Sequence, residues 1–142
     1  MTSDVSLGFA ETYAIAVGDL NGDGLPDIVL GNSGENQLML NKGDGIFREA
    51  HLTLPFDVRR TCALALADIN GDGHLDIIVG RCESNAPNQV LLNQGNVSFQ
   101  EVDGAIPGYF NTVAITVTDL NNDGSIDFIV GNHGEANQLL LN

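Results

Sequence analysis

The sequence is short of basic residues, and this shortage excludes whole classes of partner. It contains 5 Lys and Arg against 19 Asp and Glu, which gives a formal net charge of −14. Binding to nucleic acid needs clusters of Lys and Arg that neutralise phosphates, and an anionic membrane surface attracts the same residues. We therefore expect neither a nucleic-acid partner nor attachment to an anionic membrane surface.

Long apolar runs are also missing. No run approaches the roughly 18 residues of a membrane-spanning helix, so we expect no membrane insertion. The segment Met1 to Ala10 lacks the basic start and apolar core of a signal peptide. The two cysteines, Cys62 and Cys82, are too few for a disulfide framework. We expect buried free thiols at these positions, with a disulfide as the alternative.

Tryptophan is absent and aromatic residues make up only 6% of the chain, yet 43% of the residues are hydrophobic. A core must therefore be built from Val, Ile, Leu and Ala. The length of 142 residues suits a single domain. The 17 glycines recur at fixed offsets, which is typical of turns rather than of disorder.

An internal repeat dominates the sequence. Three aspartate-rich loops, at residues 19–27, 68–76 and 119–127, follow one another at spacings of 49 and 51 residues. In each copy an apolar strand-like run precedes the loop, a second follows it and ends at a glycine, and a third ends in Asn. A fourth run is present in two copies only. The predicted strands are 13–17, 28–30, 36–41, 45–49, 62–66, 77–79, 88–93, 97–101, 113–117, 128–130 and 137–142.

Four short strands in about 50 residues are typical of one blade of a β-propeller. We therefore predict an all-β fold of three blades, at about residues 1–50, 51–102 and 103–142, with essentially no helix. A β-solenoid is the structural alternative, although its repeats are usually shorter. The first strand of each copy is small and apolar, which suits the crowded centre of a propeller.

Three blades are too few for a ring, because propellers usually have about 4–8 blades. The third copy also lacks its fourth strand, which Ser3–Leu7 could supply to a neighbouring chain. We expect a closed homo-oligomer, in which two chains would give six blades and three would give nine, with the dimer favoured. A fragment of a longer chain is the alternative.

Each loop carries side-chain oxygens at its positions 1, 3, 5 and 9 and a variable residue at position 7. Alternate positions on a curled loop converge on one point, and a hard cation takes several oxygen ligands. Three carboxylates and an amide select Ca²⁺, about three ions per chain, over Mg²⁺ or Mn²⁺, whereas zinc prefers His and Cys. The candidate ligands, with a backbone carbonyl at position 7, are Asp19, Asn21, Asp23, Leu25 and Asp27; Asp68, Asn70, Asp72, His74 and Asp76; Asp119, Asn121, Asp123, Ser125 and Asp127.

Two other interpretations of these loops are weaker. A plain hairpin turn explains one Asn-Gly-Asp-Gly segment, but not the retention of all four oxygen positions in three copies. An EF-hand needs a glutamate at position 12 and flanking helices. Leu30, Val79 and Val130 stand at that position, and strand-like runs flank each loop.

The pattern Asp-x-Asn-x-Asp-Gly-x-x-Asp, followed by Ile-Val-x-Gly and Asn-Gln-x-x-Leu-Asn, resembles the FG-GAP/VCBS repeats over nearly the whole chain. Such repeats form integrin α-subunit propellers and occur in bacterial surface proteins and a mushroom propeller lectin. The resemblance implies Ca²⁺-binding loops that stiffen the blades, with ligands held elsewhere, and an extracellular or cell-surface location. Asn122 in place of a glycine is a departure from the pattern.

The sequence gives little support for a catalytic function. Its paired carboxylates belong to the predicted metal loops, and it contains no motif of a catalytic nucleophile. Three functions stay open: an interaction or adhesion module for protein partners, a carbohydrate-binding propeller, and a self-assembling structural or engineered unit. The polar turns 31–36, 80–88 and 131–137 could form a sugar site beside Phe9, Phe56, Tyr109 or Phe110. An ordinary solvated turn is the favoured interpretation of these segments.

Overall fold

The computed structural model describes residues 7, 10–51, 53–83 and 85–142. These residues form eleven β-strands and contain no helix. Every predicted strand is present. The strands are β1 (Thr12–Gly18), β2 (Asp27–Asn32), β3 (Gln37–Asn41), β4 (Phe47–Glu49), β5 (Thr61–Ala67), β6 (Asp76–Arg81), β7 (Gln89–Asn93), β8 (Phe99–Val102), β9 (Thr112–Thr118), β10 (Asp127–Asn132) and β11 (Gln138–Leu140).

The strands form three antiparallel sheets, one for each repeat. Sheet 1 has the order β1-β2-β3-β4, sheet 2 the order β5-β6-β7-β8, and sheet 3 consists of β9, β10 and β11. The first strands, β1, β5 and β9, lie beside one another at the centre of the stack. This is the arrangement of propeller blades, and the ring is open after three of them. The proposed strand exchange by Ser3–Leu7 falls almost wholly outside the described residues.

Two apolar cores hold the sheets together, one on each face of sheet 2. Alternate side chains of a strand point to opposite faces, so an apolar strand without polar interruptions can serve two cores. In β6, Ile77 and Val79 pack towards sheet 1, whereas Ile78 packs towards sheet 3. Every residue of β6 is buried, which makes sheet 2 the centre of the molecule.

The glycines near the ends of the second strands allow close packing between sheets. A Cβ atom built on Gly31 would lie 2.6 Å from the Thr61 methyl carbon, and one on Gly80 would lie 2.9 Å from that of Thr112. The expectation that these glycines end the strands was wrong, because β2, β6 and β10 each continue past the glycine. Each glycine still pairs with an alanine of the neighbouring strand. The absence of a Cβ atom is what lets the next sheet approach.

The expectation of free thiols was also wrong, because Cys62 and Cys82 form a disulfide. Antiparallel pairing places Thr61 of β5 opposite Arg81 of β6. Their next neighbours, Cys62 and Cys82, therefore come together with a Cα–Cα distance of 5.6 Å. The sequence separation of 20 residues did not reveal this register.

A buried ion pair is the main polar feature of the core. The Arg81 side chain is fully buried and its Nη2 atom lies 2.8 Å from Oδ2 of Asp57. The same guanidinium donates to the Arg59 carbonyl, to Thr61 Oγ1 and to Gln89 Oε1. Burial lowers the pKa of Arg81, and the negative charge of Asp57 opposes this effect.

Asp57→Ala should destabilise the protein, because it leaves the Arg81 guanidinium buried without its counter-charge. Breaking a buried pair in this way costs about 3–5 kcal/mol of unfolding free energy. Urea denaturation measures the loss. Asp103→Ala removes an exposed acid and should change the unfolding free energy by less than about 0.5 kcal/mol. Equal effects of the two substitutions would show that the ion pair does not stabilise the fold.

Candidate functional site

The three aspartate-rich loops occupy equivalent places in the three sheets. Each loop joins the first strand of its sheet to the second, and its last residue begins the second strand. We call them loop 1 (19–27), loop 2 (68–76) and loop 3 (119–127). All three therefore lie at the same end of their blades.

The aspartate at position 1 shapes the backbone of its loop. In loop 1, Asp19 Oδ1 accepts hydrogen bonds from the N–H groups of Gly22 at 2.7 Å and Asp23 at 3.2 Å, and Oδ2 accepts one from Gly24 at 2.8 Å. Asp68 does the same for loop 2, and Asp119 accepts two of the three bonds in loop 3. This carboxylate holds the loop curled without help from another strand.

The residues at positions 3 and 5 bind each other. Asn21 Oδ1 accepts from the Asp23 N–H, and Asn21 Nδ2 donates to Asp23 Oδ2 at 2.9 Å. Asp23 Oδ1 also accepts the N–H of Leu25 at position 7. This backbone hydrogen bond, followed by that from Asn21, lowers the pKa of Asp23. The equivalent bonds lower the pKa of Asp72 and of Asp123, so all three exposed carboxylates favour the charged form.

The aspartate at position 9 is buried and joins three parts of its sheet. Asp76 Oδ2 accepts the N–H of Ile69 in the loop, and Oδ1 accepts that of Asn93 at the end of β7, both at 2.8 Å. Asp27 and Asp127 make the same two bonds and, like Asp76, are 0% exposed. The sequence marked these residues as candidate ligands but did not reveal their structural role.

Burial shifts the pKa of Asp76 in the direction opposite to the shift of its exposed neighbour Asp72. Desolvation raises the pKa of Asp76, and the negative charges of Asp72 and Asp68 add to the rise. The N–H groups of Asn93 and Ile69 oppose it. The like charges of loop 2 are therefore close enough to disfavour one another.

The loop backbones bend at two left-handed positions. Position 6 has positive φ in all loops, at 84° for Gly24, 88° for Gly73 and 92° for Gly124. Position 4 is also left-handed, and there Asn122 has a φ of 60°. Asparagine tolerates this conformation better than most residues with a side chain. The departure from glycine thus keeps the left-handed bend at position 4 of loop 3.

The residues at positions 2 and 8 anchor their loop in the core in some copies only. Leu20 is 2% exposed and Ile69 packs against the second core. Leu120, however, is 42% exposed, and Pro26 at position 8 of loop 1 is exposed as well. Leu20 and Ile69 are covered by the sheet that follows their own, whereas the part of the chain that the structure describes forms no sheet after sheet 3.

The chemistry of the loop oxygens fits a hard cation. Among the described residues, the ion pairs join Glu49 to His51 and Asp57 to Arg59 and Arg81, so no basic side chain pairs with a loop carboxylate. Nor do these residues contain a gathered group of three or more His, Cys, Asp or Glu side chains ready to hold a metal. The loop carboxylates bind backbone N–H groups instead. Carboxylate oxygens that accept a single hydrogen bond, such as the two of Asp23, keep a second lone pair with which to accept.

The repeat pattern is recognised independently. A protein-family model described as FG-GAP-like repeat matches residues 19–79 and again residues 68–130. The chain belongs to the FG-GAP-like repeat family. Each match begins at the first aspartate of a loop, so the loops are part of what defines the FG-GAP-like pattern here. No curated protein matches the chain.

A second candidate site of this FG-GAP-like chain lies away from the loops. An open cleft beside the turn that follows β6 is lined by Arg59, Glu83, Asn85, Pro87 and Tyr109. Tyr109 is 63% exposed. Of the other aromatic residues suggested for a sugar site, Phe56 lines a neighbouring cleft, Phe110 is half-buried, and Phe9 lies outside the described residues.

Asp76→Ala should destabilise the protein even without metal, because it leaves two buried N–H groups without an acceptor. Each such group costs about 1–3 kcal/mol, so the free energy of unfolding in a chelator should fall by about 2–6 kcal/mol. Asp72→Asn keeps an acceptor at an exposed position and should change little under the same conditions. If Asp76→Ala were as stable as Asp72→Asn in chelator, the buried carboxylate would not be a structural link.

Proposed function

We propose that the chain is a calcium-stabilised β-propeller module for protein interaction or adhesion, without catalytic activity. The observation that carries the proposal is the threefold recurrence of carboxylates and an amide in one curled loop, to which none of the described basic side chains is paired. Among common cations, Ca²⁺ best matches an all-oxygen set rich in carboxylate.

The ligands would be the side-chain oxygens at positions 1, 3, 5 and 9, with the carbonyl at position 7. A bound Ca²⁺ would supply charge neutralisation. Three divalent ions would bring the formal charge from −14 to −8. The loop residues supply the preorganisation, because hydrogen bonds from their own backbone already hold the carboxylates on one curled segment. Mg²⁺ and Mn²⁺ would bind more weakly.

The proposed location is extracellular or at the cell surface. Disulfides persist in oxidising compartments and are rare in the cytosol, and Cys62 and Cys82 are joined. No helix among the described residues has the length and apolar character needed to cross a membrane.

Calcium should raise the thermal stability strongly. An ion that binds only the folded state stabilises it by about 2.7 kcal/mol per site at 100 times Kd. For three sites in a domain of this size, the melting temperature should rise by at least about 10 °C between excess EDTA and excess calcium. Calorimetry at matched ionic strength measures the shift. Equal melting temperatures in EDTA and calcium would remove the basis of the proposal.

Single-loop variants should show that the sites are separate. Asp72→Asn removes one charge from loop 2, so titration calorimetry should find two strong calcium sites in place of three. Asp68→Ala should likewise weaken the middle site and spare the others. The matched control Asp103→Asn removes an acid outside the loops and should keep all three. Loss of calcium binding in Asp103→Asn would point to the overall charge rather than to the loops.

A carbohydrate-binding propeller is the second candidate, favoured by the cleft beside Tyr109. An exposed aromatic ring next to amide and charged groups can stack on a sugar and hydrogen-bond to its hydroxyls. A glycan array should then give a signal that Tyr109→Ala abolishes and Phe56→Ala retains. An array without signal for the calcium-loaded protein would leave protein partners as the function of the module.

A further inference from the structure

Sheets 1 and 3 each have one apolar face that points away from sheet 2. The two faces differ in which neighbouring sheet, the preceding or the following one, covers the equivalent face inside the chain. The head face belongs to sheet 1, where Ile15 pairs with Leu30 and Val17 pairs with Ile28. On this face Leu30 and Met39, which pairs with Ile28, are buried, whereas Ile15 and Val17 are exposed. The tail face belongs to sheet 3 and consists of Ile129, Leu139 and Leu141, with Leu120 of loop 3 and Gly131 of β10 beside them. The internal repeat shows what covers each kind of face inside the chain.

The tail face has the pattern of the faces that receive a following sheet. Ile129 is 37% exposed, whereas the equivalent Val29 and Ile78 are fully buried. The same contrast recurs in the third strands, where Leu139 is 59% exposed and its equivalents Leu38 and Val90 are 1% and 2% exposed. Sheets 1 and 2 bury these positions against sheets 2 and 3 respectively. Sheet 3 carries the same apolar residues with no sheet after it.

The head face has the pattern of the faces that pack against the preceding sheet. Ile15 and Val17 are 63% and 59% exposed. Their equivalents in sheet 2, Leu64 and Leu66, pack into the core shared with sheet 1. In sheet 3, Ile115 and Val117 pack into the core shared with sheet 2 in the same way.

The strand glycines give this pairing a specific fit. The position of an added Cβ on Gly31 lies 2.6 Å from the methyl carbon of Thr61 and 3.2 Å from Leu64 Cδ1. The equivalent position on Gly131 has only Ala114 of its own sheet within 4 Å. The space above Gly131 is therefore not filled by a side chain of another sheet among the described residues. The residues equivalent to Thr61 and Leu64 in sheet 1 are Thr12 and Ile15.

One hydrogen bond joins sheet 2 to sheet 1, and the equivalent donor in sheet 1 makes no such bond to another sheet among the described residues. Asn93 Nδ2 donates at 3.1 Å to Leu75 O in its own sheet and at 2.8 Å to Leu20 O in loop 1 of the preceding sheet. Asn41, the equivalent residue in sheet 1, donates to Pro26 O in its own sheet. Leu20 and Leu120 occupy the same position of their loops. If sheet 3 of a second copy preceded sheet 1, the carbonyl of its Leu120 would stand where Leu20 O stands for Asn93, within reach of Asn41.

We propose that the tail face of one copy packs against the head face of a second copy, and that two copies close a ring of six blades. The unlike faces make the contact head-to-tail, and such contacts either close into a ring or run on as a filament. Six blades lie within the usual range of about 4–8, whereas nine do not. The dimer would therefore contain two identical contacts and leave no apolar face open.

The wild-type chain, kept in calcium, should elute from size exclusion with a light-scattering mass of twice 15.0 kDa. Ile15→Glu and Leu139→Glu each place a charge on one face and should each give the 15.0 kDa monomer with an unchanged circular dichroism spectrum. Phe56→Glu changes a residue that is 77% exposed away from both faces, so it is the matched control and should remain dimeric.

Mixing the two charged variants tests the direction of the contact. The mixture retains one intact head face, on Leu139→Glu, and one intact tail face, on Ile15→Glu, so it should form a dimer that neither variant forms alone. Failure of the mixture to associate, or an Ile15→Glu variant that still dimerises, would overturn head-to-tail pairing. A polydisperse wild type would overturn ring closure. A wild type that stays monomeric would overturn self-association and leave the faces to further blades of similar sequence.

Discussion

The buried aspartate at position 9 is the interaction on which each sheet depends. Its two carboxylate oxygens accept one N–H from the loop and one from the end of the third strand, while its own backbone begins the second strand. One side chain thus fixes three segments of the chain relative to each other. Because the group is fully buried, nothing in solvent can replace either bond, and the three sheets repeat the arrangement without change.

Division of the loop carboxylates into buried and exposed groups explains how so much negative charge is tolerated. In loop 2 desolvation raises the pKa of the buried Asp76, whereas hydrogen bonds from the loop lower the pKa of the exposed Asp72. The buried group serves the fold and is placed whether or not an ion is bound. The exposed groups at position 5 favour the charged form and are held by hydrogen bonds from their own loop, which suits them to attract a cation.

Local patterns in the sequence predicted the strands, the blades and the loops, because each depends on residues close together in the chain. The apolar runs beside Asp27 and the glycine at position 6 are examples. What the sequence did not reveal depends on contacts between segments far apart in the chain: the Cys62–Cys82 disulfide, the burial of Arg81 against Asp57, and the bond from Asp76 to Asn93. These pairs lie between 17 and 24 residues apart. Antiparallel ladders bring the first and third pairs together, whereas Asp57 reaches Arg81 from the segment that precedes β5.

The exposure of Leu120 shows that position in the array, rather than residue type, decides burial. Leu20, Ile69 and Leu120 are apolar residues at one position of one repeat, yet only the first two have a following sheet to pack against. In a repeat protein the stability of each unit includes its contact with the next, so a terminal unit with an ordinary apolar face lacks part of that stability. The terminal unit of a repeat array usually has a polar outer face. Sheet 3 keeps Ile129, Leu139 and Leu141 instead, so its outer face has the composition of an interior one.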